Sequence, residues 1–286
     1  MARANSMVSA VVNKIIDSSL IDGPGSRMVI FLQGCNLRCA YCHNPETQSE
    51  CNHCGACVAT CPSGALSLLD RHVTWDEARC TGCDACLKTC QYFSTPRTRV
   101  MSTDEVFARI APVQDFLDGI TVSGGECTQR HDFLLELFRR VKAETELTTF
   151  IDTNGVILPG PLDELCTVTD GFLFDLKAFT PTTHRRLTQG ENTLVIRNLT
   201  AASAARRLYE VRTVIVPGFT DDRGEIRSIA NLVRSLNDYT RLRLIPFRPN
   251  GVRTELRELP MVNRDRFEDL LAVAQSVLGG RAIGTR

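Results

Sequence analysis

Six short, nearly unbroken apolar runs recur along the chain: RMVIFLQ (Arg27 to Gln33), GITVS (Gly119 to Ser123), TTFID (Thr148 to Asp152), GFLFDLK (Gly171 to Lys177), YEVRTVIVP (Tyr209 to Pro217) and RLRLIPF (Arg241 to Phe247). Continuous rather than alternating apolar runs of this length mark strands covered on both faces. Segments with helical periodicity lie between them. STDEVFARIAPV opens on a cap at Ser102 or Thr103, with acids in the first turn. HDFLLELFRRVKAE, TLVIRNLTAASAARR, DDRGEIRSIANLVRSLN and NRDRFEDLLAVAQSVL follow. Strand and helix alternating in this way predict an α/β fold around a parallel sheet, open or curled into a partial barrel. Chemistry in such sheets gathers at the carboxyl ends of the strands.

The stretch from about Glu50 to Pro96 breaks the rhythm. CNHCGACVATCPSGAL and CTGCDACLKTCQYFS share the spacing C-x2-C-x2-C-x3-C, offset by 29 residues. The repeat reads as a small domain inserted between the first strand and its helix, dividing the chain into 1–48, 49–97 and 98–286. A length of 286 residues with 43% hydrophobic content suits one large domain plus such an insert. Formal charge is balanced at zero and no basic stripe is present, so no nucleic-acid partner is expected. No apolar run approaches the roughly 18 residues that span a bilayer, so no membrane is expected either. MARANSMVSAVV lacks the apolar region of a signal peptide, which predicts a cytoplasmic protein.

Thirteen cysteines change the picture, because eleven lie between Cys35 and Cys90. In a reducing compartment that density points to metal rather than disulfides. In GCNLRCAYCHNP, Cys35, Cys39 and Cys42 follow the first strand at the spacing C-x3-C-x2-C. Three thiolates hold three corners of a four-iron cube and leave one iron open to substrate. The competing reading is a zinc site completed by His43, whose usual spacing differs. The inserted repeat matches the bacterial ferredoxin run, in which the fourth cysteine ligates the other cluster. Cys51, Cys54, Cys57 and Cys90 then form one set, and Cys80, Cys83, Cys86 and Cys61 the other. Pro62 follows the first run, but Gln91 stands in the matching place of the second. Relay of electrons, docking of a partner and simple stapling of the insert all remain open roles.

The loop C-x3-C-x-aromatic-C, with Tyr41 in the aromatic place, resembles the radical S-adenosylmethionine (SAM) enzymes. SGGE (Ser123 to Glu126) follows the second strand, and IDGPGSR (Ile21 to Arg27), YCHNP (Tyr41 to Pro45), DTNG (Asp152 to Gly155), DLK (Asp175 to Lys177), HRRLTQG (His184 to Gly190) and VRTVIVPGFTDD (Val211 to Asp222) are further matches along the chain. Together they resemble the activating enzymes of glycyl radical enzymes, of which pyruvate formate-lyase activase is the familiar case. The N-terminal stretch and GITVSGGE resemble most the YjjW type. This likeness covers nearly the whole chain. It implies a partial (β/α)6 TIM-like radical SAM barrel carrying a 2[4Fe-4S] ferredoxin insert. It also implies SAM and three [4Fe-4S] clusters as cofactors, with a monovalent cation beside the SAM carboxylate. A glycyl radical enzyme is the implied protein substrate, and reduced flavodoxin or ferredoxin the electron donor.

The same resemblance assigns roles to residues. Cys35, Cys39 and Cys42 hold the catalytic cluster. Tyr41, His43 and Asn44 line the adenine pocket, or His43 merely caps the loop. Gly124 and Gly125 let the backbone approach the ligand, and Glu126 accepts from the SAM ammonium; otherwise the three form an ordinary strand-end turn. Asp152 and Asp175 hold the cation, Thr153 joins the cofactor-binding set, Lys177 offsets the SAM carboxylate and Arg212 meets SAM. The plainer reading of Asp152, Asp175, Lys177 and Arg212 is a set of salt bridges at the rim. Asp22 either contacts the target peptide or forms a turn. Arg248 stands where shorter activases carry a histidine. Cys127 reads as a small buried filler and Cys166 as helix core. Two other functions are open to the same residues: a radical SAM enzyme acting on a small molecule, and an iron–sulfur electron carrier.

Overall fold

The structure, a computed structural model, describes residues 8–285. Met1 to Met7 of the stretch read for a signal peptide, and Arg286, lie outside the described residues. β1 (Ser9–Ser19) and β2 (Arg27–Leu32) form an antiparallel pair. β3 (Leu66–Leu69), β4 (His72–Trp75) and the short α1 (Ala85–Thr89) belong to the cysteine-rich stretch, and β5 (Arg99–Ser102) brings the chain back beside β1. Strand and helix then alternate: α2 (Thr103–Ile110), β6 (Gly119–Gly124), α3 (His131–Glu144), β7 (Thr148–Thr153), α4 (Pro159–Val168) and β8 (Gly171–Asp175). α5 (Pro181–Thr188), α6 (Thr193–Ala204), β9 (Leu208–Ile215), α7 (Arg223–Leu236), β10 (Arg241–Pro246), α8 (Arg264–Leu278) and β11 (Ala282–Gly284) complete it. Among the described residues no helix is long and apolar enough to cross a membrane.

Nine strands form one sheet in the order β11-β10-β9-β8-β7-β6-β2-β1-β5. From β2 to β11 every pairing is parallel, and each new strand adds to the same side. The six apolar runs fall on β2 and β6 to β10 and differ from them by a residue or two at the ends. All six residues of β2 are buried, as a strand covered on both faces requires. The remaining strands escaped the periodicity for local reasons. β1 is interrupted by two register shifts and half exposed, while β3, β4, β5 and β11 have three or four residues each. α4 and α5 are short and begin at prolines, so their apolar stripe is only two or three residues long.

Side chains fix the joints. The Ser102 hydroxyl accepts from Glu105 N at 3.2 Å, and the Glu105 carboxylate accepts from Ser102 N at 2.8 Å. This capping box makes Ser102, rather than Thr103, the cap of α2. Arg27 is fully buried at the opposite end of the sheet from the site described below. Its guanidinium donates to Thr121 Oγ1, Pro24 O, Ile120 O and both oxygens of Thr148 at 2.6–3.0 Å, tying β2, β6 and β7 together. The main core lies between sheet and helices. The cysteine-rich stretch has its own core of only Cys57, Leu66, Val73 and Cys86. Val58, Cys61, Trp75 and Leu87 pack against it only partly buried, a small apolar core for residues 49–97.

Candidate functional site

A cavity of about 430 Å³ opens at the carboxyl ends of the parallel strands. Phe31, Ser123, Asp152, Asp175, Arg212 and Ile245 face it, one from each of β2 and β6 to β10. Its other wall is the loop after β2, with Cys35, Cys39, Tyr41, Cys42, His43 and Asn44. Gly124, Gly125, Thr153 and Lys177 complete the predicted residues gathered there, and Asp22 lies on its rim. Of the predicted set, only Glu126 is not part of its lining.

The cysteine loop is held by backbone bonds. Gly34 takes φ +101°, where a side chain is costly, and donates to Thr47 O at 2.8 Å. Cys35 N donates to Gln48 O at 3.1 Å, and Cys42 N to Cys39 O at 3.1 Å. Arg38 N and Ala40 N donate to Thr188 O and Leu187 O at the end of α5, so that helix clamps the loop. Tyr41 is buried with Leu187, Val216, Phe247, Val252 and Leu256, and Lys177 Nζ lies 5.7 Å from its ring centre. His43 Nε2 bonds the backbone oxygen of Arg248 at 2.9 Å, which gives Arg248 a loop contact through its main chain. Burial pushes the Cys35 thiol up to about 11 and the Cys39 thiol up to about 12. Free, both stay protonated, and a bound cation is what turns them into thiolates. Leu37 N donates to Cys35 Sγ at 3.4 Å and Asn154 Nδ2 reaches it at 3.8 Å. Donors aimed at sulfur suit a thiolate there.

The glycines and Glu126 act differently from the sequence expectation. A methyl on Gly124 would run into Leu32 N and O, and one on Gly125 into Gly34 O and Thr47 O. Their close approach is thus to the neighbouring backbone that carries Cys35. Glu126 is 2% exposed and turned away from the cavity. Its carboxylate accepts from Thr128 N (3.1 Å), Thr128 Oγ1 (2.5 Å), Thr153 Oγ1 (2.8 Å) and Asn154 N (2.7 Å). Four donors leave a buried carboxylate little capacity for another. Glu126 therefore knits the turn after β6 to the turn after β7. Asn154, through its bond to Cys35, is a site residue that sequence reasoning missed, although DTNG carried it.

Acids and bases alternate around the rim. Asp152 Oδ2 accepts from Ser123 Oγ at 3.1 Å and lies 3.5 Å from Arg212 Nη1. Its Oδ1 is buried without a partner. Burial raises Asp152 to about 7, helped by the like charges of Asp175 and Asp22 and opposed by Arg212 and Lys177. Lys177 bonds Asp175 at 2.6 Å; burial works against its charge, but Asp175 and Tyr41 outweigh it and hold it well above the usual lysine range. Arg212 also pairs with Glu210 at 2.8 Å and donates to Ile21 O at 3.0 Å. It is a rim salt bridge that faces the cavity.

Two further cavities lie in the cysteine-rich stretch. One, of about 280 Å³, is lined by Cys51, Cys54, Cys57 and Cys90. The other, of about 20 Å³, is lined by Cys61, Cys80, Cys83 and Cys86. Each gathers three cysteines of one run and the fourth of the other. All thirteen cysteines are free thiols. Among the described residues no three Cys, His, Asp or Glu side chains converge on a point that would hold a single metal ion.

Comparison with known proteins agrees with this geometry. The sequence profile of the Radical SAM superfamily matches residues 29–230. The (2S)-3-sulfopropanediol sulfolyase activating enzyme of Bilophila wadsworthia is 31% identical over 251 residues, covering 79% of this chain and 81% of that one. The pyruvate formate-lyase-activating enzyme of Streptococcus mutans is 29% identical, over 85% and 80% of the two chains. Among solved structures, Streptococcus suis SuiB bound to precursor peptide SuiA superposes with a TM-score of 0.60 at 12% identity, covering 90% of this chain and 48% of that one. A domain of the pyruvate-formate lyase-activating enzyme of Bacteroides vulgatus superposes at 0.50 and 19% identity, over 58% and 97%. These two share the fold. With the superfamily profile running through the sheet and its cavity, and an activating enzyme aligned over 79% of its length, this protein belongs to the radical SAM superfamily and is an enzyme.

Proposed function

We propose that the protein is an activating enzyme that takes a hydrogen atom from a backbone glycine of a partner glycyl radical enzyme. The observation that carries this reading is the single cavity that brings Cys35, Cys39 and Cys42 against Asp152, Asp175, Lys177 and Arg212. Six flat neighbouring strands would span about 24 Å at 4.8 Å each. One cavity touched by all six favours a curved sheet, the partial (β/α)6 barrel of this reading. Residues 1–48 and 98–286 form it, and 49–97 form a ferredoxin-like insert.

Three soft thiols and no fourth protein ligand suit an iron–sulfur cube with one open iron better than a structural zinc. Such a group, held by Cys35, Cys39 and Cys42, would supply the single electron that reductive cleavage of SAM to a 5′-deoxyadenosyl radical requires. The chain's own residues bind and orient. Lys177 and Arg212 offer charge to the SAM carboxylate, while the free oxygen of Asp152 and the carboxylate of Asp175 receive a monovalent cation or an ammonium. Tyr41, His43 and Asn44 receive the adenine, Gly124, Gly125 and Thr153 line the cofactor's path, and Glu126 fixes the turns beneath it. At the mouth, Leu20 and Ile21 are 75% and 77% exposed beside Asp22, which suits a visiting peptide loop. Cys51, Cys54, Cys57 and Cys90, and Cys61, Cys80, Cys83 and Cys86, would hold two ferredoxin-type clusters that a reduced flavodoxin or ferredoxin supplies with electrons. The names of the relatives support an activase over a small-molecule enzyme.

Anaerobically loaded protein should carry about twelve irons per chain, as three cubes require. With dithionite and SAM it should release 5′-deoxyadenosine, and Cys39→Ala should abolish that release. A glycyl signal in electron paramagnetic resonance that appears only with a cognate partner completes the test. Cleavage of SAM with no such signal, in the presence of the glycyl radical enzymes of the same organism, defeats the activase reading.

A further inference from the structure

The two four-cysteine sets are not equivalent toward the Cys35 loop. Cys35 N donates to Gln48 O at 3.1 Å. The same peptide unit, through Ser49 N, donates to Phe93 O at 3.1 Å. The next unit carries Ser94, whose Oγ lies 3.6 Å from Cys90 Sγ. A run of hydrogen-bonded peptides thus joins Cys35 to Cys90. Phe93 holds φ +52° at its centre, a left-handed conformation that a bulky residue adopts only under constraint. Ser94 is 1% exposed. The other set has a comparable hydroxyl, Ser63 Oγ at 3.7 Å from Cys61 Sγ, but no such run connects it to the Cys35 loop.

A second feature marks the same seam. The segment after β10 packs on the Cys39–His43 loop, with Thr254 Oγ1 donating to Ala40 O at 2.5 Å. Arg253, beside it, has Nη1 buried without a hydrogen-bond partner.

We propose that Ser94 is a positioning residue that couples the Cys51, Cys54, Cys57 and Cys90 set to the Cys35 loop. Its hydroxyl donates to Cys90 Sγ and raises the reduction potential of the group those cysteines hold, as hydrogen bonds to cluster sulfurs do. Its backbone continues the peptide run to Cys35. The proposal rests on the iron–sulfur reading above. The electron gained at the Cys35 loop is one lost by the protein donor, of the reduced flavodoxin or ferredoxin class.

Midpoint potentials of the iron-loaded full chain, read by electron paramagnetic resonance and sorted by response to added SAM, test it. In Ser94→Ala one of the two SAM-insensitive midpoints should move to more negative potential while the SAM-sensitive one stays. Ser94→Thr, which keeps the hydroxyl, should return the wild-type value. SAM cleavage by Ser94→Ala should fall several-fold with reduced flavodoxin and hold steady with dithionite. Ser94→Gly lacks the same hydroxyl and carries the test if the alanine protein loads iron poorly. Unmoved midpoints in a loaded Ser94→Ala protein, or an equal shift of all three, overturn the proposal. A wild-type protein without any SAM-insensitive iron–sulfur signal overturns the underlying reading instead, and that is seen before a variant is made.

Discussion

Asp152 is the residue whose environment and chemistry pull hardest against each other. Burial and the neighbouring Asp175 and Asp22 hold its carboxyl up at about 7, against Arg212 and Lys177. Its folded value lies above the unfolded one near 3.9, so the protonated form favours folding, and that advantage is lost as pH rises from about 4 through 7. Asp152→Asn escapes the loss. Without SAM, its advantage over wild type in unfolding free energy, by urea titration, should be largest at pH 8, shrink by about 1 kcal/mol on going to pH 6, and vanish only near pH 4. A gap independent of pH would mean that Asp152 is ionised throughout. Glu126 gives the complementary case. Glu126→Gln puts an amide among four donors, so it should cost about 1–3 kcal/mol in denaturant midpoint. SAM binding should weaken with it, because the turns carrying Thr153 and Asn154 loosen. The sequence marked Glu126 as important without showing its protein partners, since motif spacing does not say which way a side chain turns.

Elements are positioned by a few contacts that tolerate no added bulk. Gly125 sits where β6 passes the backbone of Gly34 and Thr47. Gly125→Ala should displace the Cys35 loop and lose about four of the irons while leaving the insert's complement in place, by iron assay. Arg27 plays the matching role at the far end of β2. Arg27→Met leaves five acceptors, two of them fully buried, without their donor and should lower stability by about 3 kcal/mol, by thermal or urea unfolding. The cavity, some five residues away along each strand, is then expected to keep its geometry in the fraction that folds. Strands β6 to β10 were legible because burial on both faces leaves an unbroken apolar run. β1 was not, because an interrupted, half-exposed edge partner carries no such run. α5 stayed hidden although it clamps Arg38 and Ala40, because its stripe of His184, Leu187 and Thr188 is short and mostly polar.

At the scale of the molecule, two bodies of unequal self-sufficiency share one chain. The α/β body has an extended apolar core, whereas residues 49–97 have a small one around Cys57, Leu66, Val73 and Cys86. A chelator should therefore unfold the insert first. Limited proteolysis after anaerobic iron removal should cut within 49–97 while the sheet resists, and the order should reverse only if the insert folds without metal. Gln48, Ser49 and Phe93 lie on the seam between the bodies, so disorder in the insert is expected to reach the Cys35 loop.

The sequence by itself determined the buried strands of a parallel sheet, the three-cysteine loop, the cysteine repeat and the superfamily, because buried strands and ligand spacing are local patterns in the chain. Only the tertiary structure decided that Glu126 faces inward, that Asp152 keeps one unpaired oxygen, and that Ser94 rather than Ser63 lies in line with Cys35. Those facts depend on which side chains, distant along the chain, meet after the strands register and curve. A burial cost or a hydrogen bond exists only once both partners have been brought together.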